Sequence, residues 1–159
     1  MGDFFQHLER IFSLKTRKLG NEYACIVWEG YVDKYGYGVK NVKWPTEGLK
    51  KERAHRVAYM IRHKLSRNDM PKLDKNSNTI ECSHLCQNKL CVNADHIILE
   101  THATNQDRIH CKGQGFCSKS HEPHCLLCTF LFFATSVYPF HLCVTMFLFF
   151  SSNFLICVG

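Results

Sequence analysis

The chain has 159 residues, a length that suits one domain with extensions. Its 20 Lys+Arg against 14 Asp+Glu give a formal net charge of +6, which favours a polyanionic partner but is equally compatible with an ordinary basic soluble domain. Ten cysteines need a reason, and the first residues argue against a disulfide framework: Met1–Lys18 places Asp3, His7, Glu9 and Arg10 among its apolar side chains, unlike a secretory signal. Gln6 stands where a myristoylation signal after Gly2 wants Ser or Thr.

Phe4, Phe5, Leu8, Ile11 and Phe12 recur at helical spacing and predict a short amphipathic helix used for packing. Tyr23–Trp28 and Tyr35–Trp44 are aromatic and β-branched, with Gly30, Gly36 and Gly38 as punctuation, and read as antiparallel strands joined by a turn at Gly30–Lys34. Pro45–Gly48 breaks that pattern. A helix is expected from Leu49 to Ser66, with Ala54, Val57, Ala58, Ile61 and Leu65 buried and Lys50, Lys51, Arg53, Arg56, Arg62 and Lys64 outside. Asn68–Asn78 reads as a polar loop, Thr79–Ser83 as a short strand, and Thr101 as the N-cap of a helix over His102–His110.

Cys86-x4-Cys91-x4-His96 supplies three thiolate or imidazole ligands within eleven residues. Structural zinc takes four such ligands in a tetrahedron. Cys25 is the candidate for the fourth, and Cys82 is its rival, though Cys82 also reads as a small buried hydrophobe. A second set, Cys111-x5-Cys117-x3-His121-x3-Cys125, is complete in itself, with Gly113 and Gly115 letting the chain wrap a metal and His124 as a substitute for His121 or Cys125. Two such sets point to two structural zinc ions, with disulfides or thiols as the alternative.

The segment CSHLCQNKLCVNADHIILETHATNQDRIHC resembles the His-Me finger endonucleases, specifically the zinc-binding loop region of the His-Cys box homing endonucleases. WEGYVDKYGYG and AHRVAYMI are similar to pieces of related HNH nucleases and occur in the same order. The resemblance spans about 100 residues and implies an α+β fold: a small antiparallel sheet plus a ββα-metal core stapled by the two zinc sites. It implies that His84 is the general base acting on water, as a neutral imidazole can near physiological pH. Asn105 would be the side-chain ligand of one catalytic Mg²⁺, since an amide oxygen is a hard, neutral donor. A cation from the sheet would face the scissile phosphate. Lys43, or else Lys40, occupies that stretch where the homing enzymes carry an arginine, and Lys40, Asn41 and Lys43 would reach double-stranded DNA in the major groove. Taken alone, His84 reads as a surface imidazole and Asn105 as a surface amide.

The expected function is metal-dependent DNA endonuclease, with a non-catalytic zinc module that binds nucleic acid as the alternative. The expected organisation is an N-terminal helical arm at 1–24, the nuclease domain at 25–125 and an apolar tail at 126–159. That tail contains no Asp, Glu, Lys or Arg and holds eight of the twelve phenylalanines. It departs from the tails through which the homing enzymes form homodimers. Leu126–Phe150 is long enough to cross a bilayer, and Lys112 and Lys119 before it would leave the nuclease domain in the cytoplasm. Its pyrimidine-rich codon content is alternatively that of a translated non-coding stretch, which leaves a nuclear or cytoplasmic protein.

Overall fold

Phe5, Leu8 and Phe12 recur every three to four residues, and helix α1 (Gly2–Ser13) buries all three. The computed structural model describes residues 2–20, 24–114 and 121–126. Within them the fold is α+β, three two-stranded antiparallel sheets with helices packed against them. The apolar side of α1 joins Trp28, Val42, Trp44, Ala54, Val57 and Met60 in a single core. The N-terminal arm is therefore packed into the same core as the segment that follows it.

The strand pairing differs from the sequence reading. Strand β2 (Ile26–Trp28) pairs with β1 (Thr16–Lys18), not with the strand after the Gly30–Lys34 turn. Strand β3 (Val39–Trp44) pairs instead with β4 (Gly48–Arg53), from Trp44 opposite Gly48 to Val39 opposite Arg53. Leu49–Arg53, expected to open a helix, thus extends as a strand. Pro45–Gly48 forms the hairpin turn, closed by Gly48 at φ +69°, where a Cβ would be strained. The window LKKER has one apolar residue, so it carries no period to separate helix from strand. The backbone ladder to β3 decides the matter.

Helix α2 (Ala54–His63) then runs to a left-handed Lys64, and the N–H groups of Lys64 and Leu65 donate to the carbonyls of Ile61 and Met60. It is shorter at both ends than expected. Its buried side adds His55 and Met60 to Ala54, Val57 and Ala58, while Ile61 and Leu65 are only partly buried.

Strand β5 (Ile80–His84) pairs with β6 (Ile97–Thr101), which the sequence reading did not anticipate. Helix α3 (His102–Gln114) packs on both, and its start is fixed by the Thr101 Oγ1, which accepts the N–H of Thr104 at 3.2 Å. The long loop between β5 and β6 is stitched to β2: Trp28 N–H donates to Leu90 O at 2.9 Å and Val92 N–H to Ile26 O at 2.7 Å. Among the described residues no helix is long and apolar enough to cross a membrane. The tail beyond Leu126 and the side chain of Cys117 lie outside the described residues.

Candidate metal centres and catalytic cleft

Three buried thiols and one buried imidazole converge where the β5–β6 loop meets the start of β2. The ligand atoms of Cys25, Cys86, Cys91 and His96 all lie within 4.8 Å of one another. His96 turns Nδ1 toward the group, 3.8 Å from Cys25 Sγ and 3.5 Å from Cys91 Sγ. The hydrogen bond from Cys86 holds Cys91 down to about 5, and the same contact pushes Cys86 well above its ordinary value. Three sulfurs with one nitrogen are a donor set that zinc favours. Cys82 is elsewhere: it packs against the main core, and burial raises its thiol to about 11.

A second group lies at the end of α3. Cys111, His121 and Cys125 are buried with their ligand atoms within 4.8 Å of one another, and His121 Nδ1 is 3.8 Å from Cys111 Sγ and 3.7 Å from Cys125 Sγ. His124 is exposed and turns to Glu122 instead. Both groups can hold zinc.

Arg108, on α3, supports the second group and was not singled out from the sequence. It is 1% exposed, its Nε donates to both oxygens of buried Glu100 at 2.9 and 2.8 Å, and its Nη1 donates to Cys125 Sγ at 3.4 Å. Gln87 Nε2 donates to the Arg108 carbonyl at 2.7 Å, which ties the first metal loop to the second site. Arg108→Met should destabilise the protein by about 3–5 kcal/mol, because Glu100 is left buried without its counter-charge. Guanidinium denaturation would measure it, and the double variant Arg108→Met/Glu100→Leu should recover much of the loss.

Between α2 and the β5–α3 unit lies a polar cleft of about 260 Å³, lined by Tyr37, Arg53, His55, Glu81, His84 and Asn105 among others. Side-chain alternation along β5 builds it. Glu81 and Ser83 turn to α3, where Asn105 Nδ2 donates to Glu81 Oε2 at 2.7 Å and Ser83 Oγ donates to Asn105 Oδ1 at 3.0 Å. Cys82 and His84 turn the other way, and the His84 ring packs 4.5 Å from that of His55.

His84 Nε2 lies 3.0 Å from the carbonyl oxygen of Cys91. A carbonyl only accepts, so Nε2 carries the proton and Nδ1 keeps the lone pair. Burial holds the pKa of His84 below the usual imidazole value, against the opposing bond to Cys91. His55, 3% exposed, is held further down, first by burial and then by the charges of His84, Arg53 and Arg56. The Arg53 guanidinium lies 4.2 Å over the Tyr37 ring. Asp33 shapes the Tyr37 loop, accepting the N–H groups of Tyr35 and Tyr37 on one oxygen at 2.9 and 3.0 Å.

Residues 24–132 match the family model described as the zinc-binding loop region of homing endonuclease. The chain belongs to that family. No curated protein matches it.

Within this homing-endonuclease zinc-loop region, the expected site residues fall into two sets. His84 and Asn105 meet at one cleft, and Cys25, Cys86, Cys91 and His96 meet at one metal centre. Lys43 does not reach the cleft. It sits opposite Leu49 near the hairpin turn, four residues along β3 from Val39, or roughly 13 Å at about 3.3 Å per residue. Lys40 is half-buried on the other side of the hairpin, opposite Glu52, while Asn41 and Lys43 lie exposed on the outer side. The cations that line the cleft are Arg53, opposite Val39 and beside Tyr37, and Arg56 on α2. Reading Leu49–Arg53 as a helix hid Arg53. Counting a hairpin register back from the Pro45–Gly48 turn would have placed it.

Proposed function

We propose that the chain is a metal-dependent DNA endonuclease that hydrolyses phosphodiester bonds, with residues 25–125 as the nuclease unit, 1–24 as its packed arm, and the nucleus or cytoplasm as its place of action. The observation that supports this most is that His84, with its N–H committed to Cys91 and a lone pair left on Nδ1, shares one cleft with Asn105 and Arg53. A binding module has no need of that combination.

In this reading, DNA lies along the outer side of the β3–β4 hairpin, which presents Asn41 and Lys43 on β3 with Lys51 and Arg53 on β4, opposite Asn41 and Val39. Lysines there meet phosphates and set salt dependence. Arg53, steadied over Tyr37, faces the scissile phosphate and offsets the charge that grows on its oxygens. The Nδ1 of His84 takes the proton of the water that attacks phosphorus, while the bond to the 3′-oxygen breaks. The His84 ring is aimed by the Cys91 carbonyl, so the first zinc loop orients the base. Asn105 Oδ1, a hard neutral donor at a polar cleft, fits one divalent ion such as Mg²⁺ and would hold it. When bound, such an ion would supply positive charge against the phosphate and the leaving 3′-oxygen. Cys117 completes the second zinc set by its spacing, and both zinc ions are structural.

Supercoiled plasmid and long mixed-sequence DNA, incubated with the protein and Mg²⁺ or EDTA, test the reading. Nicking or cutting with Mg²⁺ alone is expected; binding without either, in Mg²⁺ and in Mn²⁺, would leave the zinc-dependent binding module in its place. The cation assignment has its own prediction. Arg53→Ala should slow cleavage roughly 10²-fold at saturating DNA, the usual loss for one donor to a transition-state charge. Lys43→Ala should instead weaken DNA binding modestly and lower the salt slope by about one contact. The reverse ranking in single-turnover assays would return the phosphate role to Lys43.

A further inference from the structure

Asn105 is bound on both ends of its amide, and the partner on the nitrogen side is Glu81, a residue the chemistry above does not use. Glu81 is the second residue of β5 and joins two residues of α3: Oε2 accepts from Asn105 Nδ2 at 2.7 Å and Oε1 lies 3.0 Å from His102 Nδ1. We propose that Glu81 is a positioning residue that fixes the orientation of the Asn105 amide and so keeps its oxygen available to a divalent cation.

The argument rests on what each group can donate or accept. An ionised carboxylate only accepts hydrogen bonds, so the amide end beside it must be NH₂. A flipped Asn105 would set its carbonyl oxygen against the carboxylate and its NH₂ against the hydroxyl of Ser83. The native orientation instead gives Oδ1 one bond from the Ser83 hydroxyl, itself 2% exposed. A carbonyl oxygen has two lone pairs, which leaves one for a cation. Glu81 thus holds the amide nitrogen on one side while Ser83 holds its oxygen on the other. Without Glu81, the amide can rotate, and a cation must then pay the entropy of ordering it.

This inference deepens the nuclease reading and rests on it for the cation. A plain structural role is the competing account, because Glu81 also pins the first turn of α3 to β5. His102 separates the two. His102→Ala removes the other helix–strand bond of Glu81 and leaves the Asn105 bond in place.

The test uses the full-length, zinc-loaded chain and its Glu81→Ala, Glu81→Gln and His102→Ala variants. The first readout is the side-chain amide signal of Asn105 in ¹⁵N–¹H spectra without Mg²⁺, assigned by its loss in Asn105→Asp. The second is the Mg²⁺ concentration for half-maximal cleavage of mixed-sequence DNA. In Glu81→Ala the two Asn105 amide protons should converge toward the shifts of a solvated amide, and the Mg²⁺ requirement should rise roughly 10–100-fold, the usual loss for a partner that orients a metal ligand. Glu81→Gln, which keeps an acceptor oxygen, should restore most of both, and His102→Ala should change neither. Unchanged Asn105 signals in Glu81→Ala and Glu81→Gln would overturn the proposal. Equal effects of His102→Ala and Glu81→Ala on the Mg²⁺ requirement would overturn it as well, in favour of helix docking. Wild-type protein that cuts no DNA, while its Asn105 signals still respond to Glu81→Ala, counts against the nuclease reading and not against the clamp.

Discussion

His84→Ala protein is expected to cut DNA about 10²–10⁴-fold more slowly than wild type, the usual cost of losing a general base, while its zinc content and DNA affinity stay close to normal. The imidazole belongs to neither metal group, and among the described residues its ring bonds the protein from Nε2 to the Cys91 carbonyl, at 3.0 Å. Losing that bond costs about 0.5–1.5 kcal/mol, too little to unfold a domain of ordinary stability. The rate and the fold are thus separable at this position. Asn105→Ala should also lose rate, but excess Mg²⁺ should return part of it, because that variant weakens cation binding and leaves the base in place. Excess Mg²⁺ should not rescue His84→Ala, whereas added imidazole can occupy the space and accept the proton. A His84→Ala protein that cleaves at the wild-type rate would remove the base from the mechanism. One that loses zinc would show that the ring holds the loop and does not act on water.

Stripping the metal should unfold the protein. Among the described residues, the buried clusters of the β5–β6 loop and the end of α3 are small: Cys25, Cys86 and Cys91, with Leu19 and Leu126 packed against them, in one case and Cys111 and Cys125 in the other. Structural zinc contributes apparent binding energies of about 10–16 kcal/mol in small zinc-finger peptides, as much as the whole stability of a typical domain. The first loop is also hydrogen-bonded to β2 through Leu90 and Val92, so its loss strips an edge from the strand that carries Trp28. Elemental analysis should find about two zinc ions per chain, as the two ligand sets require. Cys91→Ala should lose one ion and the cooperative thermal transition, and chelation of wild type should do the same. A metal-free protein that keeps its cooperative unfolding and its hydrogen-exchange protection at 84–97 would show that zinc is dispensable to the fold.

The local chemistry was legible in the sequence, because it depends on residues close together in the chain. The spacing of Cys86, Cys91 and His96 brings three ligands round one point with only a short loop to close, at little entropic cost. Thr101 marks the start of α3 by a bond to an N–H three residues on, and Phe5, Leu8 and Phe12 declare the buried side of α1 through helical period alone. What required the tertiary structure are the pairings between distant segments. Cys25, the sequence candidate for the fourth ligand, stands 61 residues before Cys86, and the choice between it and Cys82 was made by the packing of β2 against the metal loop, which leaves Cys82 in the apolar core. Leu49–Arg53 has no hydrophobic period, so the β3 ladder made it a strand and carried Arg53, not Lys43, to the cleft. Glu81, His55 and Arg108 are ordinary polar residues in the sequence. Each takes its place from a partner on another element (Asn105, the His84 ring, and Glu100 with Cys125), because a buried polar group is tolerated only where the fold supplies what it must bond or pack against.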